Sequence, residues 1–225
     1  MNKTMVTLLT FIFSIQGYAQ ESFITLGERS SLSLDGSWNY IIDPYENGFY
    51  NYRWEPNLNG FFKNEKPRNK WDHIEYNFDI SDTLTVPGDW NSQRKELFFY
   101  EGTIWYKKSF DFKKKNDTRV FLRFGAANYL AIVYLNGEKL GDHEGGFTPF
   151  SFEITNLVWE KDNFIVVKVD NKRCAECVPT LNTDWWNYGG ITRSVSIVET
   201  PVTFISDYVL QLKKGSTKKS RVGYN

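Results

Sequence analysis

The stretch TIWYKKSFDF, residues 103–112, decides the fold. Its apolar and aromatic residues alternate with polar ones, the two-residue period of a pleated strand with one buried face. A charged KKKND segment at 113–117 reads as a turn, and RVFLRF at 119–124 resumes the alternation. Residues 129–135 form the next expected strand, closed by Asn136 and Gly137, a pair that tolerates positive φ and marks a tight hairpin. FSFEI at 150–154 alternates, NFIVVKV at 163–169 has the composition of a buried strand, and 191–199 alternates once more. No segment sustains a helical period, and Gly and Pro punctuate the intervals. Seven or more short strands spaced in this way predict an all-β antiparallel sandwich or jelly roll. Residues 36–92, rich in Asn and Trp, read as long loops with a few strands. Residues 203–212, after Pro201, read as an exit strand that needs another domain to pair with.

Composition narrows the function. The 225 residues carry 27 basic and 27 acidic side chains, so no surplus of Lys and Arg supports a general polyanion or nucleic-acid binder. Hydrophobic residues make up 41% of the chain, which argues against disorder, and no apolar run is long enough to span a membrane. The aromatic load is heavy, with 18 Phe, 13 Tyr and 8 Trp, and demands a bulky core, a binding face, or both.

The two ends read differently from the body. Lys3, an apolar run at 5–15 and small residues at Gly17 and Ala19 describe a secretory signal peptide over residues 1–19, cleaved after Ala19. The expected location is therefore secreted or periplasmic. The end of the chain, KKGSTKKSRVGYN at 213–225, has five basic and no acidic residues and reads as a solvated terminus. Setting aside Lys3 and those five leaves 21 basic against 27 acidic, a mildly acidic body. Cys174 and Cys177 stand in a CxxC. A local disulfide, two free thiols, a redox pair and half a zinc site are all compatible with that spacing. There is no second CxxC, and His73 and His143 are the only histidines. No motif calls for a cofactor or a metal, and neither a GxSxG elbow nor a Ser/His/Asp arrangement is present.

Seven motifs in order resemble one family: LDGSW at 34–38, VPGDWN at 86–91, YEGTIWY at 100–106, FGAANY at 124–129, VYLNG at 133–137, HEGGFTPF at 143–150 and DWWNYGGITR at 184–193. Over residues 32–212 the chain resembles the N-terminal sugar-binding domain of glycoside hydrolase family 2, in its β-glucuronidase and β-galactosidase branch. The resemblance implies a galactose-binding-like jelly roll over residues 20–200, then the start of an immunoglobulin-like domain in 201–225. It also implies a (β/α)₈ barrel that carries the two Glu of a retaining hydrolysis of terminal β-glycosides. A barrel alone needs about 250 residues. The chain is therefore expected to be a truncated product with no catalytic residue of its own.

The candidate site is the loop at 184–193. Asp184, Asn187 and Tyr188 supply donors and acceptors for hydroxyls, and Trp185 and Trp186 offer broad faces to a pyranose ring. Gly189 and Gly190 permit a sharp turn. The resemblance implies that Asp184 binds the sugar beside the catalytic pair, with Asn187 and Tyr188 shaping the rim. The alternative is that Asp184 caps a turn and both tryptophans pack on the sandwich. His143–Phe150 reads as a structural loop in which Phe147 and Phe150 plug the sandwich edge, and Asn128 and Asn136 as turn residues. Trp38, Trp90 and Trp105 are expected in the core. Three functions are compatible with this reading: the accessory domain of a β-glycosidase, a free-standing carbohydrate-binding module, and a structural domain that docks a partner chain. The expected partners are a carbohydrate and either a catalytic domain or a second copy of the chain.

Overall fold

The computed structural model describes residues 29–49, 77–207, 209–212 and 220–223. The predicted signal peptide at 1–19 lies outside them, as does most of the basic tail. In chain order the strands are β1 (Ser31–Ser33), β2 (Gly36–Ile42), β3 (Thr83–Val86), β4 (Thr103–Phe110), β5 (Thr118–Phe124) and β6 (Leu130–Leu135). They continue with β7 (Glu138–Glu144), β8 (Phe150–Glu153), β9 (Asn163–Asp170), β10 (Val195–Pro201), β11 (Val209–Leu212) and β12 (Ser220–Gly223). A short α-helix, α1 (Trp90–Gln93), follows β3.

The strands build a sandwich of two antiparallel sheets, one ordered β1-β10-β5-β8 and the other β3-β2-β4-β9-β6-β7. The all-β jelly-roll reading agrees with this architecture. Facing side chains fill the space between the sheets: Trp38, Ile104, Tyr106, Val133 and Val167 from the larger, and Leu122, Phe124, Phe150, Phe152 and Ile197 from the smaller. Phe124 and Phe150 stack with centroids 4.9 Å apart. The hairpin between β6 and β7 turns on Asn136 (φ 53°) and Gly137 (φ 88°), the backbone signs that this dipeptide favours.

Alternation does not leave the outer face of the larger sheet bare. Trp105 points away from the sandwich interior yet is fully buried, in a second core with Phe78, Tyr134 and Val166. Its indole N–H donates to Asp43 Oδ2 at 2.8 Å, and Asp43 also accepts the backbone amides of Asn47 and Gly48. A carboxylate with three donors anchors this overlying segment. Asp43→Ala strands a buried indole N–H and two amides, so an expected loss of about 1–3 kcal/mol should appear in urea unfolding.

Several boundaries differ from those expected. β10 begins at Val195 rather than at Ile191, because Thr192 and Arg193 donate their amides to Ala126 O, and Ile191 O accepts Gly88 N. The segment read as the His143 loop starts as strand β7, with the His143 ring stacked on Phe150 at 4.2 Å. Phe150 is buried as expected, but Phe147 is exposed and plugs nothing. The exit strand is shorter than 203–212, and it pairs inside this chain: β11 lies antiparallel to β12, Leu210 opposite Val222. Residues Ser220–Gly223 of the basic tail are thus strand β12. Cys174 and Cys177 form a disulfide, which resolves the alternatives at that CxxC. Among the described residues, no helix is long and apolar enough to cross a membrane.

Three glutamates link the sandwich to pH. Lys168, hydrogen-bonded to Glu46 at 2.6 Å, lowers the carboxyl below its ordinary 4.5. The paired hydrogen bonds from Arg119 lower that of Glu153. Burial raises the Glu199 carboxyl, but the Lys115 amide and the Thr118 hydroxyl more than offset it, and the net direction is down. A group depressed on folding stabilises the fold above its unfolded value, and that contribution is lost as pH falls through the folded one. His143, depressed below 6.5 by burial, acts with the same sign at higher pH. The melting temperature is therefore expected to slip below pH 6.5 and fall more steeply below 4.5. Glu199→Gln should shallow the steeper limb in a pH series of thermal melts.

Candidate functional site

The loops at one end of the sandwich converge through a set of asparagines. Asp89 caps α1, accepting the Ser92 amide at 2.7 Å and its hydroxyl at 2.8 Å. The next residue, Trp90, is fully buried; its amide donates to Gly189 O at 2.9 Å and its indole N–H to Tyr100 O at 3.2 Å. Asn91 ties two loops together: its amide nitrogen donates to Leu97 O and Tyr100 O, and its oxygen accepts Gly189 N at 2.9 Å. Asn171 takes Gly102 N on its oxygen and donates to Asn187 O at 2.8 Å. Asn187 returns a donor to Asn171 O, and its oxygen accepts Asn128 Nδ2 at 3.0 Å. Asn91, Asn171 and Asn187 each spend both amide ends on backbone or on another amide, while Asn128 donates its nitrogen and keeps a buried, unpaired Oδ1, so these side chains fix the loops.

On that base sits an aromatic cup. Trp186 lies 4.8 Å from Phe98 and 5.4 Å from Phe99, centroid to centroid, and 6.2 Å from Tyr188. The rings stay open to solvent, Phe99 being 80% exposed and Trp186 40%. They border a hollow of about 120 Å³ whose polar lining includes Glu101 and Arg173. Arg173 clamps the loop from below. Its Nε donates to Glu101 at 2.9 Å, and its terminal nitrogens to Thr183 O at 2.7 Å and Trp185 O at 2.8 Å. The neighbouring disulfide closes the other side of this excursion. Burial pushes the Tyr100 phenol well above its ordinary value, aided by the Asp43 carboxylate, so it stays a neutral donor to Thr103 O.

The predicted site residues divide. Asp184 is exposed, with no hydrogen bond or ion pair from the described residues, so it caps no turn there. Trp185, Trp186 and Tyr188 are exposed. Asn187 is not at the rim: it is 3% exposed, and its amide is engaged with Asn171 and Asn128. The sequence reading missed Phe98, Phe99, Glu101 and Arg173. An unalternating Leu-Phe-Phe-Tyr run at 97–100, outside any predicted strand, was the available signal for the first two. Arg173→Met is expected to leave the sandwich folded but to loosen residues 183–186, read as faster amide hydrogen exchange confined to that loop.

At about 120 Å³ the hollow is well below the roughly 300–1,000 Å³ of a site that encloses a small molecule. It suits one ring laid against aromatic faces. Among the described residues no group of three His, Cys, Asp or Glu side chains could hold a metal ion. Residues 32–201, nearly the whole sandwich, match the family described as glycosyl hydrolases family 2, sugar binding domain. The chain belongs to that family. Within it, the chain is 31% identical over 153 residues to the β-glucuronidase of Canis lupus familiaris, covering 55% of this chain and 24% of the dog protein. It is 33% identical over 128 residues to the β-glucuronidase of Bacteroides fragilis, covering 55% of this chain and 18% of that one. A β-glucuronidase from Ruminococcus gnavus, solved in complex with D-glucuronic acid, superposes with a TM-score of 0.68 at 26% identity, covering 89% of this chain and 35% of that chain. This family 2 sugar-binding domain thus spans a quarter or less of these curated relatives and about a third of the solved one.

Proposed function

We propose that the loop face around Asp184, Trp185, Trp186 and Tyr188 binds carbohydrate for an enzyme of the β-glucuronidase type, one that hydrolyses terminal β-glycosides. The observation that carries this reading is the cup itself: exposed aromatic rings of Trp186, Phe98 and Phe99 around a hollow with a carboxylate and a guanidinium in its lining. Apolar ring faces take the C–H side of a pyranose, and polar groups at the edge take its hydroxyls. Asp184, exposed and without a partner among the described residues, supplies a further hydroxyl acceptor. The leader at 1–19 and the Cys174–Cys177 disulfide support a secreted or periplasmic setting, where oxidised thiols persist.

Calorimetric titration of the chain with methyl β-D-glycosides tests the reading. Weak saturable binding is expected, reduced roughly ten-fold by Trp186→Ala, the loss of about 1.4 kcal/mol that an aromatic contact can supply. Asp184→Ala should weaken it as well. A flat trace for the unaltered chain contradicts the proposal. The exposed rings also favour a second reading, in which they dock a partner chain or another domain. In that case a concentration-dependent association appears on sizing chromatography and disappears in Phe99→Ala, with no response to sugar.

A further inference from the structure

We infer that the aromatic cup takes an uncharged ring, and that Glu101 is the residue that keeps an anionic one out. This rests on the carbohydrate-binding reading and specifies which part of a glycoside the cup can hold. Two charged side chains line the hollow, Glu101 and Arg173. The guanidinium is the natural receptor for a carboxylate, but here three of its five N–H donors are spent within the chain, and a carboxylate already pairs with it. It meets Glu101 at 2.9 Å and gives its two terminal nitrogens to the carbonyls of Thr183 and Trp185. The pair carries no net charge, so no unbalanced cation is left to draw in an anionic ring. The amides of Asn91 and Asn187, which also line the hollow, are spent on backbone groups and on Asn128.

The carboxylate is the more open half of the pair: the Glu101 side chain is 36% exposed against 19% for Arg173, and only its Oε1 holds the guanidinium. A carboxylate accepts hydroxyl hydrogens and repels a second carboxylate. Asp184, exposed on the loop that carries Trp186, adds a second negative charge to this end of the sandwich. The aromatic faces of Trp186, Phe98 and Phe99 carry no charge and exclude none, so discrimination falls to Glu101. In a β-glucuronide, the cup is therefore matched to the neutral ring on the leaving-group side and not to the uronate itself.

The test compares methyl β-D-glucopyranoside with methyl β-D-glucopyranosiduronate, which differ only in the carboxylate, by titration of the 225-residue chain followed through tryptophan fluorescence. The neutral glycoside is expected to bind tighter at low salt by roughly two- to five-fold, the upper figure being that of an unpaired like charge about 4 Å away in a watery setting. Glu101→Gln keeps an acceptor for Arg173 Nε but leaves the guanidinium charge uncompensated, and should abolish the preference or reverse it toward the uronate. Added salt should narrow the gap in the unaltered chain. Phe99→Ala, an exposed position, should weaken both ligands together. Equal or tighter binding of the uronate by the unaltered chain, or a preference for the neutral glycoside that survives in Glu101→Gln, overturns the inference while leaving carbohydrate binding intact. Failure of both glycosides to bind overturns the carbohydrate reading first and this inference with it.

Discussion

Replacing Trp90 with alanine is expected to lower the unfolding free energy by about 3–5 kcal/mol, the usual cost of emptying a large buried aromatic site. The position is fully buried, and three elements lean on it. Its ring packs 6.2 Å from Tyr100, its indole N–H holds Tyr100 O, and Gly189 lies against its six-membered edge. The substitution therefore acts on the site as well as on stability. With the indole gone, the loop carrying Phe98 and Phe99 and the loop carrying Trp186 lose the body that spaces them. Chemical denaturation measures the first effect. A loss of sugar-induced fluorescence change, under conditions where the variant is still folded, measures the second. A cost under about 1 kcal/mol would mean that the core closes over the gap and that Trp90 is not the spacer.

Gly189→Ala is the complementary case, because it adds atoms to the same contact. A methyl at Gly189 would meet Trp90 Cζ2 at 2.0 Å and Cη2 at 2.4 Å. The ring cannot swing aside, since it is enclosed, so the loop must retreat. The move would stretch two hydrogen bonds at once: Trp90 N to Gly189 O and Gly189 N to Asn91 Oδ1, both 2.9 Å. The expected cost is about 1–3 kcal/mol for overpacking, and more where those bonds are lost. The two changes must also be non-additive, as they remove and overfill one contact. In the double variant the added methyl finds room, so Gly189→Ala should cost markedly less in the Trp90→Ala background than alone. Additive costs would place the strain of Gly189→Ala elsewhere in the loop.

Much of this architecture was readable because strand physics is local. The alternation in 103–112 and 119–124, the buried run at 163–169 and the Asn136-Gly137 turn each report their own backbone state, and β4, β5, β9 and the β6–β7 hairpin followed. Trp38, Trp90 and Trp105 are all buried as expected. Alternation could not report what covers the far side of a strand. Trp105 is buried in a second core built from Phe78 and the segment around Asp43, residues distant in sequence. Nor could it report where a strand stops. Thr192 and Arg193 keep an alternating sequence yet give their amides to Ala126 O, so β10 starts later than the pattern does.

The site shows the same division. Trp185, Trp186 and Tyr188 stood out as a cluster in sequence, and they are exposed together. Their partners come from another loop, and only tertiary contact brings Phe98 and Phe99 to Trp186. Asn187 shows the opposite error. A polar residue beside exposed tryptophans invites a ligand role, but its amide closes a network with Asn171 and Asn128 that holds the loop in place. Residue type signals hydrogen-bonding capacity; only the structure tells where that capacity is spent.

The central claim, that the loop end of this family 2 sandwich is a carbohydrate-binding face centred on Trp186, is tested most directly by amide and indole NMR during titration with methyl β-D-glucopyranoside. Saturable shifts are predicted for the Trp185 and Trp186 indole N–H signals and the amides of Phe98, Phe99 and Glu101, with the buried Trp38 and Trp105 indoles unmoved. Shifts elsewhere on the sandwich, or none at any glycoside concentration, would contradict it.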